Sequence, residues 1–151
     1  MKYVLYSHFA GEKQMSIAIQ KEIKDSINSI TVKPAKGAGK KLRMAFLSNL
    51  KTAGWSSEVA VSKGSKITIT SMKNDVGLCM QTGNMGRMYA DLMKLQTMYL
   101  DNSIKVAAIV VPSAPFAKIL GSNIAQADRL EKELEIFKKA YHVPTIIFAL
   151  E

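Results

Sequence analysis

The sequence predicts an α/β fold, a mixed β-sheet flanked by helices, and three observations support this class. Isoleucines near the N-terminus recur at spacings of three and four residues, the period of one helix face. Short runs in the middle of the chain alternate apolar and polar residues, as the strands of a β-meander do. The later apolar runs "IKVAAIVVP" and "VPTIIFAL" are typical of strands buried on both faces.

The N-terminal part of the chain is predicted to contain one strand and two helices. "KYVLYSHF" is a β-type run that ends at the Ala-Gly pair 10–11. The isoleucines between positions 19 and 30 predict the first helix. "ITVKPAKGAGKK" then interrupts regular structure with Pro and Gly. The second helix carries Leu42, Phe46 and Leu50 on one face and ends near Gly54.

The rest of the chain is predicted to alternate between strands and helices. "EVAVS", "KITIT" and "DVGLCMQ" form the meander, and "SMKND" supplies a hairpin connection. A helix follows from about Asn84 to Leu100, and another covers about residues 124–141. The two buried apolar strands each follow one of the preceding helical segments, which completes one mixed α/β domain.

The length of 151 residues fits one domain, with a strand and helix in residues 1–30 and a core over about 42–151. A single cysteine cannot form an internal disulfide, so nothing indicates an oxidising compartment. The N-terminus lacks the pattern of a signal peptide, and no apolar stretch is long enough for a membrane span. We therefore expect a cytoplasmic protein.

The charge balance favours a polyanionic partner, with nucleic acid ahead of a membrane surface. Lys and Arg total 21 against 12 Asp and Glu, a net charge of +9. Six basic residues without an acid among them surround the glycines and helix start near position 40, where backbone N–H groups also favour phosphate. The alternative is a solvated loop on a basic but inert surface. The six residues are Lys33, Lys36, Lys40, Lys41, Arg43 and Lys51.

The stretch "DVGLCMQTGN" at 75–84 contains the chain's single cysteine. Side chains of a strand alternate between its faces, so Val76, Leu78 and Met80 are predicted to enter a core. Cys79 and Gln81 would then lie side by side on the opposite, open face. Cysteine in an apolar strand is usually an inert small hydrophobe, so composition alone does not give this pair a function.

The order of motifs from "GW" at 54–55 through "TSMKNDVGLCMQTGNMGRMYADLMKLQTMYL" resembles the core of the BglII-type restriction endonucleases, a branch of the PD-(D/E)xK nucleases. The later "ILGSNIAQADRLEKELEIF" and "VPTIIFAL" are similar to that family's final segments. The resemblance covers about two thirds of the chain, from roughly residue 42 to the end. It implies a restriction-endonuclease-like core, and the family's habit of pairing subunits implies a homodimer.

Three family active-site positions can be carried over, and only one matches. The family's glutamine falls on Gln81. Its glutamate falls on Cys79, and its aspartate, nine positions before the glutamate, falls on Thr70. Phosphodiester hydrolysis needs a cation such as Mg²⁺, which prefers carboxylate oxygens to a thiol or a single hydroxyl. The resemblance therefore implies a catalytically degenerate nuclease that binds double-stranded DNA without a cofactor, with Asn84 and Arg87 near the former scissile phosphate.

Two alternatives stay open at this point. Acids that have migrated within the fold, with Glu58, Asp75 and Asp91 as candidates, could hold Mg²⁺ in an active type II restriction endonuclease. Alternatively, the chain could be a protein-interaction or inhibitor module that keeps the fold and does not bind DNA.

Overall fold

The strands form a five-stranded mixed sheet and a separate two-stranded one. The computed structural model describes residues 1–151. The main sheet has the order β1-β7-β6-β5-β4; its three inner strands are parallel, and both outer strands run antiparallel to their neighbours. The second sheet pairs β2 with β3. The strands are β1 (Tyr3–His8), β2 (Val59–Ala60), β3 (Thr68–Ile69), β4 (Ser71–Lys73), β5 (Val76–Met80), β6 (Val106–Pro112) and β7 (Thr145–Leu150).

Helices cover both faces of the main sheet, which confirms the predicted α/β class. None of them is long and apolar enough to cross a membrane. The two short helices, α1 and α5, were not predicted from the sequence. The helices are α1 (Gly11–Gln14), α2 (Ile17–Asn28), α3 (Gly39–Thr52), α4 (Met85–Leu100), α5 (Ala114–Leu120) and α6 (Ala127–Phe137).

The main sheet separates two apolar cores. Val76, Leu78 and Met80 of β5 enter the core that contains the buried residues of α2 and α3, as their alternation predicts. The sequence alone suggested that the opposite face is open, but in the structure helices cover it. There α4 and α6 form a second core, and Cys79 lies within it with none of its surface exposed. The three parallel strands are buried on both faces, which explains their continuous apolar runs.

Three segments differ from the predicted boundaries for identifiable reasons. The predicted meander is divided, because β2 and β3 pair only with each other while β4 joins the main sheet. The helix predicted over about 124–141 begins only at Ala127, because Ile124 is held extended by an isolated bridge to Asn84. The predicted connection "SMKND" is mostly strand, because Ser71–Lys73 form β4 and pair with β5. The hairpin turn itself is shorter and lies at Asn74, φ 53°, and Asp75.

The start of α3 lies directly against the segment that follows β5. A Cβ atom on Gly39 would come within 3.0 Å of the Thr82 carbonyl oxygen, so the absence of a side chain permits this approach. The Thr82 hydroxyl donates to the Gly39 carbonyl at 3.1 Å. This contact brings the basic N-terminal turns of α3 to the carboxyl end of β5.

Candidate functional site

A polar cleft of about 640 Å³ lies at the carboxyl end of β5, between the first turns of α3 and α4. Its floor comes from Thr70, Met80 and Gln81, and its walls come from the two helices. Four basic and two acidic side chains line it, so positive charge is in excess. These six residues are Lys40, Arg43, Arg87, Lys94, Glu58 and Asp91.

The guanidinium of Arg43 is fixed at the bottom of this cleft. Its Nη1 donates to the main-chain carbonyl of Met80 at 2.6 Å and to Oγ1 of Thr70 at 3.2 Å. Its Nη2 is 3.5 Å from Oε1 of Glu58, a weak contact because the Glu58 side chain is 60% exposed. The Arg43 side chain itself is 30% exposed. One end of the guanidinium is therefore anchored to the protein interior and the other faces the cleft.

Thr70 joins the chain segments that meet beneath the guanidinium. It lies between β3 and β4, where the chain passes from the small sheet to the main one. Its Oγ1 accepts a hydrogen bond from the Met80 N–H at 3.0 Å in addition to the one from Arg43. The hydroxyl is buried and satisfied, so it serves as a structural bridge between the end of β5 and α3.

Cys79 is one residue before Met80 but points to the other side of the sheet. Burial, and secondly the negative charge of Asp91, raise the pKa of its thiol far above the usual value. The sulfur is therefore a neutral thiol at physiological pH, packed among the apolar residues beneath α4.

Gln81 continues the parallel ladder beyond β5 and connects the strand to α4. Its N–H donates to the Val110 carbonyl at 2.9 Å, which holds the backbone beside β6. Its side-chain Nε2 donates to Oδ2 of Asp91 at 2.9 Å. The other oxygen of this buried carboxylate is 2.8 Å from the ammonium of Lys94. Asp91 is thus shared between an amide and a cation.

Helix α4 places its charged residues on the cleft because of how it begins. The Asn84 side chain caps the helix by accepting from the Gly86 N–H at 2.6 Å. Arg87, Asp91 and Lys94 follow at intervals of four and three residues, so they share one face of the helix. That face borders the cleft, while the opposite face packs on the second core.

The sequence of this chain matches a known protein family, and its fold matches solved structures. The sequence model of the restriction endonuclease BglII/BglIII family matches residues 3–150. The chain belongs to this family. No curated protein sequence matches it significantly.

Solved structures of BglII share the fold at low sequence identity. BglII in complex with a DNA 16-mer superimposes with a TM-score of 0.87 at 14% identity, covering 100% of this chain and 78% of that chain. Free BglII superimposes with a TM-score of 0.77 at 14% identity, covering 100% of this chain and 80% of that chain. The predicted restriction-endonuclease-like core is confirmed, since the match includes the whole chain.

The residues predicted from the BglII resemblance do not all meet in one place. Thr70 and Gln81 line the cleft, whereas Cys79 lies behind it in the second core. Of the three candidate migrated acids, Glu58 and Asp91 line the cleft. Asp75 is at the opposite end of β5, where its Oδ2 is 3.8 Å from the ammonium of Lys105. Asp75 is thus too far away to act with Gln81.

The residues predicted to contact DNA also divide into two groups, one inside the cleft and one outside it. Lys40, Arg43 and Arg87 line the cleft. Lys36 lines a separate depression beside α5, and the others are exposed outside the cleft: Lys33, Lys41, Lys51 and the helix-capping Asn84. Sequence reasoning missed Lys94, although its spacing of three from Asp91 and seven from Arg87 is a recognisable helix-face signal.

Proposed function

We propose that this member of the BglII family binds double-stranded DNA in the cleft and does not hydrolyse it. The observation that carries the proposal is the position of Arg43, whose guanidinium is bonded to the Met80 carbonyl and to the Thr70 hydroxyl. These two groups belong to the segment where the resemblance places the family's acidic positions. A fixed cation at this point favours phosphate binding, and it opposes the entry of a divalent ion.

The donor atoms of the cleft do not suit Mg²⁺. This ion requires nearly octahedral oxygen coordination that includes carboxylates. Thr70 supplies a neutral hydroxyl, and Cys79 supplies a protonated thiol turned into the second core. No group of three or more His, Cys, Asp or Glu side chains in residues 1–151 is arranged to hold a metal ion. We therefore infer no reaction step that uses a metal in this cleft.

The alternative function is Mg²⁺-dependent cleavage of DNA, and one observation favours it. Glu58 and Asp91 are both in the cleft, so two carboxylates are near the position where a metal would be needed. Each, however, contacts a basic side chain: Glu58 faces Arg43, and Asp91 accepts from Lys94 at 2.8 Å. Metal binding would have to displace these cations, which makes non-hydrolytic binding the better-supported function.

DNA is the partner that the charge distribution and the family both support. The net charge of +9 and the basic cleft attract a polyanion. BglII, which shares the fold, has been solved with a DNA 16-mer. We further propose a homodimer, following the family's pairing of subunits, and a cytoplasmic location. Light scattering across a concentration series tests the dimer.

The proposed function is tested by two assays on the natural protein. In a mobility shift with duplex DNA at increasing salt, we expect a slope of log K against log salt of about −3 or steeper, because each neutralised phosphate contributes about −0.9. Incubation with supercoiled plasmid and Mg²⁺ or Mn²⁺ should leave the plasmid intact. Nicked or linear plasmid supports the nuclease alternative, and indifference to DNA at low salt supports a protein-interaction module.

A further inference from the structure

We propose that Arg43 takes the place of a divalent cation, so that the cleft holds a DNA backbone phosphate without any metal ion. This inference rests on the proposed DNA binding and deepens it by naming the group that binds the phosphate. It depends on three features of the structure: the anchoring of the guanidinium, its free edge and its surroundings.

The guanidinium is anchored to groups that do not move independently of the sheet. The Met80 carbonyl that accepts from Nη1 at 2.6 Å belongs to the last residue of β5, which is 2% exposed. Thr70, which accepts from the same nitrogen at 3.2 Å, is 6% exposed and also bonds the Met80 N–H. A cation held in this way is ordered before a ligand arrives, so little side-chain entropy is lost on binding.

The remaining edge of the guanidinium is available for a ligand. Both N–H groups of Nη1 are used by the protein, whereas no group of the chain accepts from Nε–H. Nη2 has only the long contact of 3.5 Å with Glu58. The Nε and Nη2 hydrogens point in parallel along one edge of the planar group, which is the geometry that two phosphate oxygens match. Arg43 thus presents a bidentate pair of N–H donors to the cleft.

The surroundings favour a phosphate within a polynucleotide chain over a single small anion. Lys40, Arg87 and Lys94 line the same cleft, so a chain of phosphates gains further ion pairs that a single small anion does not. Glu58 is the acidic group nearest to the free edge, and its exposed side chain can turn away into solvent. A backbone phosphate can therefore replace Glu58 on Arg43.

A guanidinium also explains why binding does not lead to cleavage. Arginine stays protonated throughout the physiological pH range, and its nitrogens donate hydrogen bonds but do not coordinate water. It can hold a phosphate and offset its charge. It cannot generate the hydroxide that a bound metal would supply.

The test compares DNA affinity with a chelator and with Mg²⁺ for the natural protein and three variants. We expect the natural protein to bind a short duplex equally well with EDTA and with Mg²⁺ at matched ionic strength. Arg43→Ala should weaken binding about ten- to hundredfold, because a charge-assisted donor pair is lost. Arg43→Lys keeps the charge but not the bidentate donor edge, so its DNA affinity should still fall about tenfold.

The matched control is Lys105→Ala, which removes the same charge at the far end of β6, outside the cleft. Its affinity should change about twofold or less. If the natural protein binds DNA only with Mg²⁺, or if both Arg43 variants bind like the control, the metal-free phosphate site is wrong while DNA binding stands. If the natural protein binds no DNA under either condition, the proposed function fails and this inference fails with it.

A second measurement needs no substitution and so does not depend on how well the Arg43 variants fold. The ¹H–¹⁵N signal of the Arg43 Nε–H should shift when duplex DNA is added to the natural protein in EDTA. The Nε proton should also exchange more slowly with water. A resonance that stays unchanged at saturating DNA would show that the phosphate binds elsewhere and would overturn the inference.

Discussion

Placing acids at positions 70 and 79, where the resemblance puts the family's carboxylates, should create a divalent-cation site only if Arg43 is also removed. In the double variant Thr70→Asp, Cys79→Glu, the new aspartate replaces a hydroxyl that is 3.2 Å from Nη1 of Arg43. The guanidinium would then form an ion pair in a partly buried site and would keep Mn²⁺ out. Adding Arg43→Met removes that competitor. The glutamate at 79 is longer than the cysteine and can extend along its strand face toward Gln81, which lines the cleft, so that two carboxylates can meet there.

The size of the effect follows from linkage between binding and folding. A ligand present at about a hundred times its Kd stabilises the folded state by about 2.7 kcal/mol. For a domain of this size, about 1 kcal/mol changes Tm by roughly 2–4 °C. Saturating Mn²⁺ should therefore raise the Tm of the triple variant by about 5–10 °C, and it should leave the double variant and the natural protein unchanged.

The assay is a thermal melt with and without Mn²⁺. Its control variant carries amide side chains of the same shape as the two carboxylates but without their negative charges. The variant Thr70→Asn, Cys79→Gln, Arg43→Met should melt at the same temperature in both conditions. Circular dichroism before heating checks that each variant folds, since residue 79 is fully buried. If Mn²⁺ stabilises the natural protein as much as the triple variant, other ligands hold a cation and the non-hydrolytic reading is wrong. If Mn²⁺ raised the Tm of the double and triple variants equally, Arg43 would not be the group that excludes Mn²⁺.

Four further outcomes are expected. Lys40→Ala should make the salt dependence of DNA binding shallower by about 0.9, whereas Lys41→Ala, outside the cleft, should change it less; equal slopes would move the contact surface along α3. Glu58→Gln should tighten DNA binding about two- to fivefold by freeing Arg43, and an unchanged Kd in the same mobility shift would contradict this competition. The Cys79 thiol should react with iodoacetamide only after unfolding, because burial keeps its pKa high; rapid alkylation of the folded protein, seen by mass spectrometry, would contradict its burial. Burial would raise the pKa of Glu22, but hydrogen bonds from Lys73 and Trp55 lower it below the usual 4.5. Glu22 therefore stabilises the fold above that pH, and this contribution is lost as the pH falls through the folded-state pKa. Urea unfolding should therefore show Glu22→Gln about 1 kcal/mol less stable at neutral pH, with the gap closing in acid.

Much of the fold could be predicted from the sequence, because its strongest patterns are those that burial imposes. The continuous apolar runs of β6 and β7 and the apolar face of α3 were identified from periodicity alone. The short helix α5 was missed because seven residues hold too little of the helical period. The division of the meander was missed because β2 and β3 have two residues each, and pairing partners of such short strands are set by tertiary contacts.

The candidate site was predicted less completely, for a different physical reason. The alternation in β5 correctly separated Met80 from Cys79, but it gave no information on what covers each face. Burial of Cys79 depends on α4, which packs across the sheet. The central position of Arg43 could not be read from the sequence either. There it was one of several basic residues, and its role depends on a contact between residues 43 and 80.

Thr70 and Arg43, which are hydrogen-bonded to each other in the cleft, are electrostatically consistent only as a pair. With an acid at position 70, an ion pair would offset the charge of the Arg43 guanidinium, and its free edge would attract phosphate less. Without Arg43, the Met80 carbonyl would lose its side-chain donor in a partly buried site, which is costly, and the Thr70 hydroxyl would keep only the Met80 N–H. With a divalent ion present, Arg43 would be repelled from the same oxygens. Neutral Thr70 and cationic Arg43 therefore support each other, and this pair is consistent with the proposed binding of a phosphate without hydrolysis.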